Sequence, residues 1–277
     1  MTCYQALCLH FAIILSLLAS ENSAYTRLAM EQLYSKIANR HMLPADKISL
    51  LLNVPRGYVY EEFIAKDCQQ AYRQGRRQSG LYVISPKKGP LLVVYCLFLE
   101  DGGWTVLQRN TGPKNGFWFR SWNDYKAGFG DLESSHWLGN ENIYLLTRRN
   151  AFSVRFSLTD SEGLNHTADY YSFRVDDESS GYALRLGTYQ GQISDALTVM
   201  NETGVHDNMK FSTEDRDNDR ERINCAVEYQ GGWWYDRCRS ADLNSDKGIF
   251  WQGLCDQAHK CMKDTIMIKP NGKNCRR

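Results

Sequence analysis

The N-terminus of this chain decides how the rest of the sequence is interpreted. Residues 11–19 are apolar apart from Ser16, and this stretch is shorter than the about 20 apolar residues that cross a bilayer. Small residues follow at Ala19, Ser20, Ser23 and Ala24, as a signal peptidase site requires. The pattern predicts a signal peptide over residues 1–24, no membrane span, and a secreted, extracellular protein.

Secretion predicts that the cysteines form disulfides, because disulfides form and persist in oxidising compartments. Two of the nine cysteines lie in the predicted signal peptide, and seven follow it. Seven is odd, so we expect intramolecular disulfides and one cysteine that stays free or joins another chain. N-glycosylation sequons at Asn165 and Asn201 agree with the secretory route and predict that both positions are exposed.

The charge balance argues against a nucleic-acid partner. The chain has 33 basic and 32 acidic residues, whereas nucleic-acid binding takes a clustered basic surface. Its content of 43% hydrophobic residues is typical of a globular chain with a packed core.

The chain changes character at Cys68. Residues 25–66 contain no cysteine, and Ala29, Leu33 and Ile37 repeat at helical spacing over barely two heptads. We interpret this segment as a short helix or a linker. From Cys68 onward, aromatic residues and glycines are dense and short alternating runs appear, which predicts a folded domain.

Local patterns in this second part indicate both strands and helices. Residues 153–158 and 183–186 alternate apolar with polar side chains, which predicts strands. Ser121, with Asp124 three residues on, resembles a capping box, and a second helix is predicted to begin near Asn140. Because helices and strands do not alternate regularly, an α+β fold is favoured over a doubly wound parallel sheet.

Motifs of catalysis are missing from the sequence. There is no His-Glu-x-x-His, Gly-x-Ser-x-Gly, Walker or Gly-x-Gly-x-x-Gly motif, and no two histidines stand at metal-ligand spacing. The sequence therefore predicts that the protein is not an enzyme.

An acidic run is the first candidate site. It places carboxylates at alternate positions, at Asp215, Asp217, Asp219 and Glu221. Carboxylates on an irregular turn can converge on calcium, which accepts six to eight oxygens in flexible geometry. The alternative is a solvated turn whose charge is partly offset by Arg216, Arg220 and Arg222. A bridge between Cys225 and Cys238 would close a small loop, worth roughly 3 kcal/mol, and pin the turn.

An aromatic run is the second candidate site. Tyr229 is followed by Trp233, Trp234 and Tyr235. On a strand, adjacent side chains point to opposite faces, so one tryptophan would lie in the core and the other would line a surface groove. The groove would form an aromatic wall beside a ligand, although plain core packing of both tryptophans is the alternative.

These motifs together carry a family resemblance. In chain order they read GGWTVLQR (102–109), HWLGNEN (136–142), MKFSTEDRDND (209–219) and GGWWY (231–235). The region from 67 to 271 resembles the C-terminal globular domain of fibrinogen chains and leaves a tail at 272–277. The resemblance implies an α+β domain with a disulfide-linked N-terminal piece, a central antiparallel sheet, short helices and a disulfide-pinned C-terminal lobe. It also implies Cys68–Cys96 and Cys225–Cys238 bridges.

The resemblance implies a calcium site in the acidic turn. Asp217 and Asp219 would supply carboxylates, and the backbone carbonyls of Glu221 and Ile223 would complete the shell. The family usually has glycine where this chain has Ile223. If that position needs a positive φ, a β-branched residue would cost of order 1–3 kcal/mol and weaken the site.

The implied small-ligand pocket departs further from the family. In ficolin-like lectins, a tyrosine matching Tyr229 and a histidine after the second-pair cysteine hold an acetyl group. Here the histidine position is Arg239, and the loop after Asn244 is short. The predicted ligand-contacting residues are Tyr229, Trp234 and Arg239.

The remaining cysteines leave two arrangements open. Cys255 and Cys261 could form a local bridge, which leaves Cys275 for an interchain bond and a disulfide-linked homodimer. Alternatively, Cys261 pairs with Cys275 and Cys255 is free.

The sequence therefore predicts a secreted, non-enzymatic protein that binds a cell-surface receptor or another extracellular protein. The alternative function is a calcium-dependent pattern-recognition lectin that binds glycans, with Arg239 recognising an anionic group.

Overall fold

The computed structural model describes residues 64–86, 90–112, 115–200, 202 and 204–271. All of them belong to one compact unit, Tyr60–Arg277. The predicted signal peptide, residues 25–63 of the N-terminal segment, Asn201, Cys275 and the 272–277 tail lie outside the described residues.

An antiparallel sheet forms the centre of the domain. Within the described ranges it has ten strands, and its main path runs β1-β2-β3-β12-β6-β7-β8. The path strands are β1 (Gly80–Ile84), β2 (Leu92–Leu99), β3 (Gly102–Asn110), β6 (Phe152–Asp160), β7 (Asn165–Val175), β8 (Leu184–Leu186) and β12 (Cys261–Pro270). Three short strands pair beside this path: β4 (Phe129–Gly130), β5 (His136–Trp137) and β9 (Tyr189–Gly191). The last strand, β12, lies between β3 and β6, so the C-terminal segment joins the two halves of the sheet.

Alternation buries one face of the sheet, as the sequence predicted for residues 153–158. In β6, Phe152, Val154, Phe156 and Leu158 are buried, and the residues between them are partly exposed. The second predicted strand, 183–186, corresponds to β8.

The helices in the described ranges are few and short. They are α1 (Cys68–Arg73), α2 (Trp122–Ala127), α3 (Asn140–Thr147), α4 (Cys225–Tyr229) and a 3-10 turn (Glu178–Ser180). Ser121 caps α2 through the predicted capping box with Asp124, and α3 begins at the expected position. None of the helices in the described ranges is long and apolar enough to cross a membrane.

Three disulfides connect these elements. Cys68–Cys96 joins α1 to β2, Cys225–Cys238 closes a 13-residue separation, and Cys255–Cys261 ties the first residue of β12 to the segment before it. The α+β class, the antiparallel sheet and the first two pairings are confirmed. The third disulfide is the local bridge, so the alternative pairing of Cys261 with Cys275 is not formed.

Candidate functional sites in the C-terminal lobe

The C-terminal lobe, residues 204–260, has little regular structure, and its aromatic run packs inward. Trp233, Trp234 and Tyr235 are all fully buried. The prediction that one tryptophan lines a surface groove is wrong for this segment, because other parts of the chain cover both of its sides.

Trp234 is a core residue. Its indole N–H donates to the carbonyl of Tyr182 at 2.8 Å, and its ring lies 5.3 Å from Phe211 and 5.9 Å from Trp137. Only 1% of Trp234 is exposed. Trp234 therefore stabilises the junction of lobe and sheet, and its predicted role in ligand contact is corrected to packing.

Tyr229 and Arg239 lie together where the resemblance places a small-ligand pocket. The guanidinium carbon of Arg239 is 3.8 Å from the ring centroid of Tyr229 and 4.6 Å from that of Phe250. The Arg239 side chain is only 16% exposed. The two aromatic faces that could hold a ligand therefore hold the protein's own arginine.

The charge of Arg239 is neutralised inside the protein. Its Nη1 lies 3.3 Å from Oδ2 of Asp242, a fully buried carboxylate. The same oxygen accepts a hydrogen bond from the hydroxyl of Tyr235 at 2.8 Å. Burial raises the pKa of Asp242, and the positive charge of Arg239 opposes that rise. The ion pair therefore compensates the negative charge of Asp242, which is buried in the lobe.

The short loop after Asn244 is anchored to the body of the domain. The Asp246 carboxylate accepts hydrogen bonds from the backbone N–H groups of Phe117, Trp118 and Phe119 at 3.0–3.3 Å. The Ser245 hydroxyl donates to the carbonyl of Tyr229 at 2.6 Å. The loop is therefore fixed in place against the residues that flank the pocket.

In the acidic turn, Asp217 and Asp219 lie close together. Oδ1 of Asp217 accepts from the Asp219 N–H at 3.1 Å, and Asp219 accepts from the N–H groups of Glu221 and Cys225, both at 2.9 Å. Partial burial, together with the charge of Asp217, raises the pKa of Asp219 to about 6. A carboxylate with a raised pKa next to a second acid is a group that a cation would stabilise.

Two of the interspersed arginines are engaged outside this carboxylate pair. Arg216 stacks over Trp122, with its guanidinium carbon 3.9 Å from the ring centroid. Arg220 forms an ion pair with the fully buried carboxylate of Asp236. Asp215 faces α2, where it accepts from the Trp122 N–H at 2.7 Å. Of the acids of the turn, Asp217 and Asp219 are therefore the two that a cation would contact, and a solvated turn is the alternative to such a site.

The residues of the turn fit calcium. Ile223 is not among the non-glycine residues with positive φ, so the backbone strain expected there is absent. No described residue donates a hydrogen bond to the carbonyls of Glu221 or Ile223. In the part of the chain described here, no cluster of three or more acidic, histidine or cysteine side chains forms a metal site. The turn instead brings together two carboxylates, those of Asp217 and Asp219, and carboxylate oxygens are ligands that suit calcium.

Sequence reasoning missed two residues of the pocket, Asp242 and Phe250. Asp242 stands three residues after Arg239, a spacing compatible with an ion pair, but nothing local showed that it would be buried. Phe250 reaches the pocket because β10 (Ala241–Asp242) pairs with β11 (Phe250–Trp251).

The glycosylation sequon at Asn165 lies at the start of β7. Asn165 is exposed, as an acceptor asparagine must be, and its Oδ1 accepts from the Ser157 hydroxyl at 2.7 Å.

An antiparallel sheet, a few short helices and three disulfides define a globular domain of the fibrinogen C-terminal type. The family model for the C-terminal globular domain of fibrinogen beta and gamma chains matches residues 64–271. The chain belongs to this family. Members of the family are not enzymes, so the expectation of a non-catalytic protein is confirmed.

Similar proteins and solved structures support the same family. The chain is 45% identical over 202 residues to a fibrinogen-like protein 1-like protein of Gallus gallus, covering 72% of each. It is 37% identical over 225 residues to human fibrinogen-like protein 1, covering 74% of this chain and 72% of the relative. The solved fibrinogen-like globe domain of human ANGPTL2 superposes with a TM-score of 0.69 at 36% identity, covering 75% of this chain and all of that one. These relatives are consistent with a secreted binding protein.

Proposed function

We infer that this protein is a secreted ligand for a cell-surface receptor or another extracellular protein. The observation that carries this function is Arg239, which fills the small-ligand pocket and pairs with buried Asp242. A pocket that the chain itself occupies and neutralises is disfavoured as a small-ligand site, whereas the surface around it stays available for contact.

That surface has the character of a protein-binding face. Ile223 and Val227 follow the acidic turn and are 53% and 49% exposed. Exposed apolar side chains rimmed by polar residues are a feature of protein interaction sites. Tyr229, the last residue of α4, is partly exposed and contacts Arg239. We call Ile223, Val227 and Tyr229 the lobe face.

Calcium is part of the proposal. Asp217 and Asp219, with the carbonyls of Glu221 and Ile223, would hold the ion. Bound calcium would supply the positive charge that the nearby arginines do not give to this carboxylate pair. Since Ile223 would be both a ligand and a member of the lobe face, occupancy of the site would order the binding surface.

A calcium-dependent lectin is the second candidate function. It is favoured by the Arg239 guanidinium, whose planar geometry suits carboxylate, phosphate or sulfate groups. In this function a glycan anion would replace Asp242 as the partner of Arg239. The cost is a buried, unpaired Asp242, which makes this candidate the weaker of the two.

A glycan array and a receptor screen separate the two functions. We expect the intact secreted protein to bind an extracellular or cell-surface protein, and to lose that binding on Val227→Asp. The matched control is Val199→Asp, which places the same charge on another exposed valine, outside the lobe face. Glycan binding that chelator removes and Tyr229→Ala abolishes would instead favour the lectin.

Two covalent features complete the proposal. Cys275 would form an interchain bond in a homodimer, and Asn165 and Asn201 would carry glycans. Non-reducing electrophoresis should show a dimer that Cys275→Ser abolishes, and glycosidase treatment should lower the mass. A monomeric wild-type protein would reject the interchain bond.

A further inference from the structure

A second charged surface lies at the opposite end of the sequence from the lobe, around α1 and the first two strands. Residues 66–82 contain four basic residues and one acidic residue, although the whole chain is almost neutral. The acid is Asp67, whose carboxylate is used to cap α1 by accepting from the Gln70 N–H at 2.8 Å.

Three arginines of this segment are exposed at the end of α1 and in the loop after it. They are Arg73, Arg76 and Arg77. None of them forms an ion pair with a carboxylate in the described parts of the chain. Lys66, which is exposed just before α1, adds a fourth positive charge, and Asp67 beside it is the one acid of the segment.

Aromatic rings accompany the arginines. Tyr72 and Tyr82 both contact Phe98, with ring centroids 5.9 and 5.4 Å apart, and all three rings are partly exposed. The guanidinium carbon of Arg77 lies 4.0 Å from the Tyr72 ring centroid. Arginines and partly exposed aromatic rings therefore share one surface, which we call the arginine–tyrosine face (Tyr72, Arg73, Arg76, Arg77, Tyr82, Phe98).

Hydrogen bonds hold this face in place. Nη1 of Arg77 donates to the carbonyls of Tyr72 and Arg76 at 2.6 and 2.8 Å, and the Arg76 N–H donates to the Ala71 carbonyl at 3.1 Å. The Cys68–Cys96 disulfide ties α1 to the strand that carries Phe98. A held arginine loses less entropy on binding an anion than a freely rotating one.

We propose that the arginine–tyrosine face binds a sulfated polysaccharide. Unpaired guanidinium groups donate two parallel hydrogen bonds to a sulfate group. The apolar faces of sugar rings pack on tyrosine, and the repeat of a polysaccharide presents sulfates and sugar faces together. Such polymers occur outside the cell, where the relatives of this chain act. The face shares no residue with the lobe face, so it gives the protein a second binding function.

The test is binding of a heparin oligosaccharide to the full secreted protein, measured by surface plasmon resonance at several salt concentrations. We expect binding that weakens as salt rises, as for other polyanions. Replacing Arg73, Arg76 and Arg77 by alanine should weaken it by about tenfold or more. The double variant R73A/R76A, which keeps the hydrogen bonds of Arg77, should lose part of the affinity.

The control removes the same amount of charge elsewhere. Arg237, Lys260 and Lys263 are exposed and form no ion pair in the described chain, and replacing them by alanine should leave heparin binding unchanged. Equal losses in both triple variants, or no loss in either, would overturn the proposal.

Two other polymers test whether the arginine–tyrosine face recognises sulfate groups. Hyaluronan, which has carboxylates but no sulfates, should bind much more weakly than heparin. Single-stranded DNA of similar length should also bind more weakly, and equal binding of either polymer would refute sulfate recognition. Val227→Asp should weaken receptor binding and leave heparin binding unchanged. The heparin proposal and the receptor proposal can therefore fail independently of each other.

Discussion

The acidic turn and the Arg239 pocket lie in the same disulfide-linked lobe but differ in whether their charged groups form ion pairs. In the pocket, an arginine and a buried carboxylate neutralise each other, and two aromatic rings enclose the cation. In the turn, two carboxylates stand together while the nearby arginines pair elsewhere. The comparison shows that one lobe can pair some of its charges internally and leave others without an ion-pair partner among the described residues. A site whose charges are satisfied internally needs no ligand, whereas unpaired charges still favour one.

The largest effect is expected from a variant that breaks the ion pair between Arg239 and Asp242. Asp242→Ala should lower the free energy of unfolding by about 3 kcal/mol, because it leaves Arg239 without its partner in a largely buried place. Denaturant unfolding of wild type and variant measures the difference. The control is Glu228→Ala, which removes an exposed ion pair with Lys247 and should change stability by less than about 1 kcal/mol. Equal effects would mean that the pocket pair is no more than a surface contact.

A histidine next to the pocket gives a pH-dependent prediction. His206 is buried, donates from Nδ1 to the Trp234 carbonyl and accepts at Nε2 from the N–H groups of Ser240 and Ala241. Burial lowers its pKa to about 4. Since the unfolded histidine takes up its proton near pH 6.5, the folded state should lose stability as pH falls from about 6.5 to 4, by up to about 3 kcal/mol.

The measurement is thermal unfolding of wild type and His206→Gln between pH 4 and 7. The slope over this window should be smaller in the variant, because glutamine does not titrate. Identical slopes would mean that other groups govern acid unfolding.

Calcium binding tests the acidic turn, the second of the two regions compared. If the ion binds only the folded protein, a concentration a hundred times the dissociation constant adds about 2.7 kcal/mol of stability and raises the melting temperature. Asp217→Ala should remove this increment. Glu214→Gln, an exposed acid in the same turn, should keep it. A melting curve that millimolar calcium leaves unchanged would show that the turn is only solvated charge.

The smallest expected effect concerns Ile223. Because its φ is not positive, glycine at this position gains nothing in the folded state and has more freedom in the unfolded chain. Ile223→Gly should therefore lower stability by about 0.5–1 kcal/mol. The calcium-dependent rise in melting temperature should persist. A variant that is more stable than wild type, or that binds calcium more tightly, would restore the strain argument.

Local signals predicted much of the fold. The capping box at Ser121 and the alternation in 153–158 act between residues a few positions apart, so the sequence is enough to predict α2 and β6. The acidic turn could also be found, because all its acids lie in one short stretch. The pocket could be found only in part, since Tyr229 and Arg239 were named without their partners, Asp242 and Phe250.

The error over Trp234 has a definite physical cause. The rule that adjacent side chains on a strand point to opposite faces says nothing about whether both faces are covered. In the folded lobe, Trp137 and Phe211 cover Trp234, and His206 lies beside Trp233. Burial on both sides depends on segments far apart in the chain.

The sequence by itself determined the α+β class and the position of the acidic turn, because these follow from local patterns and short-range spacing. Its ordered motifs showed the family resemblance, and that resemblance implied two of the disulfide pairs. Only the tertiary structure decided which charges are left unpaired. Arg239 pairs with the buried Asp242, Arg220 pairs with Asp236, and Arg216 stacks on Trp122. Asp217 and Asp219 lie together, and neither of them forms an ion pair with these arginines. An ion pair depends on distance and burial in three dimensions, and a list of charges along a chain contains neither.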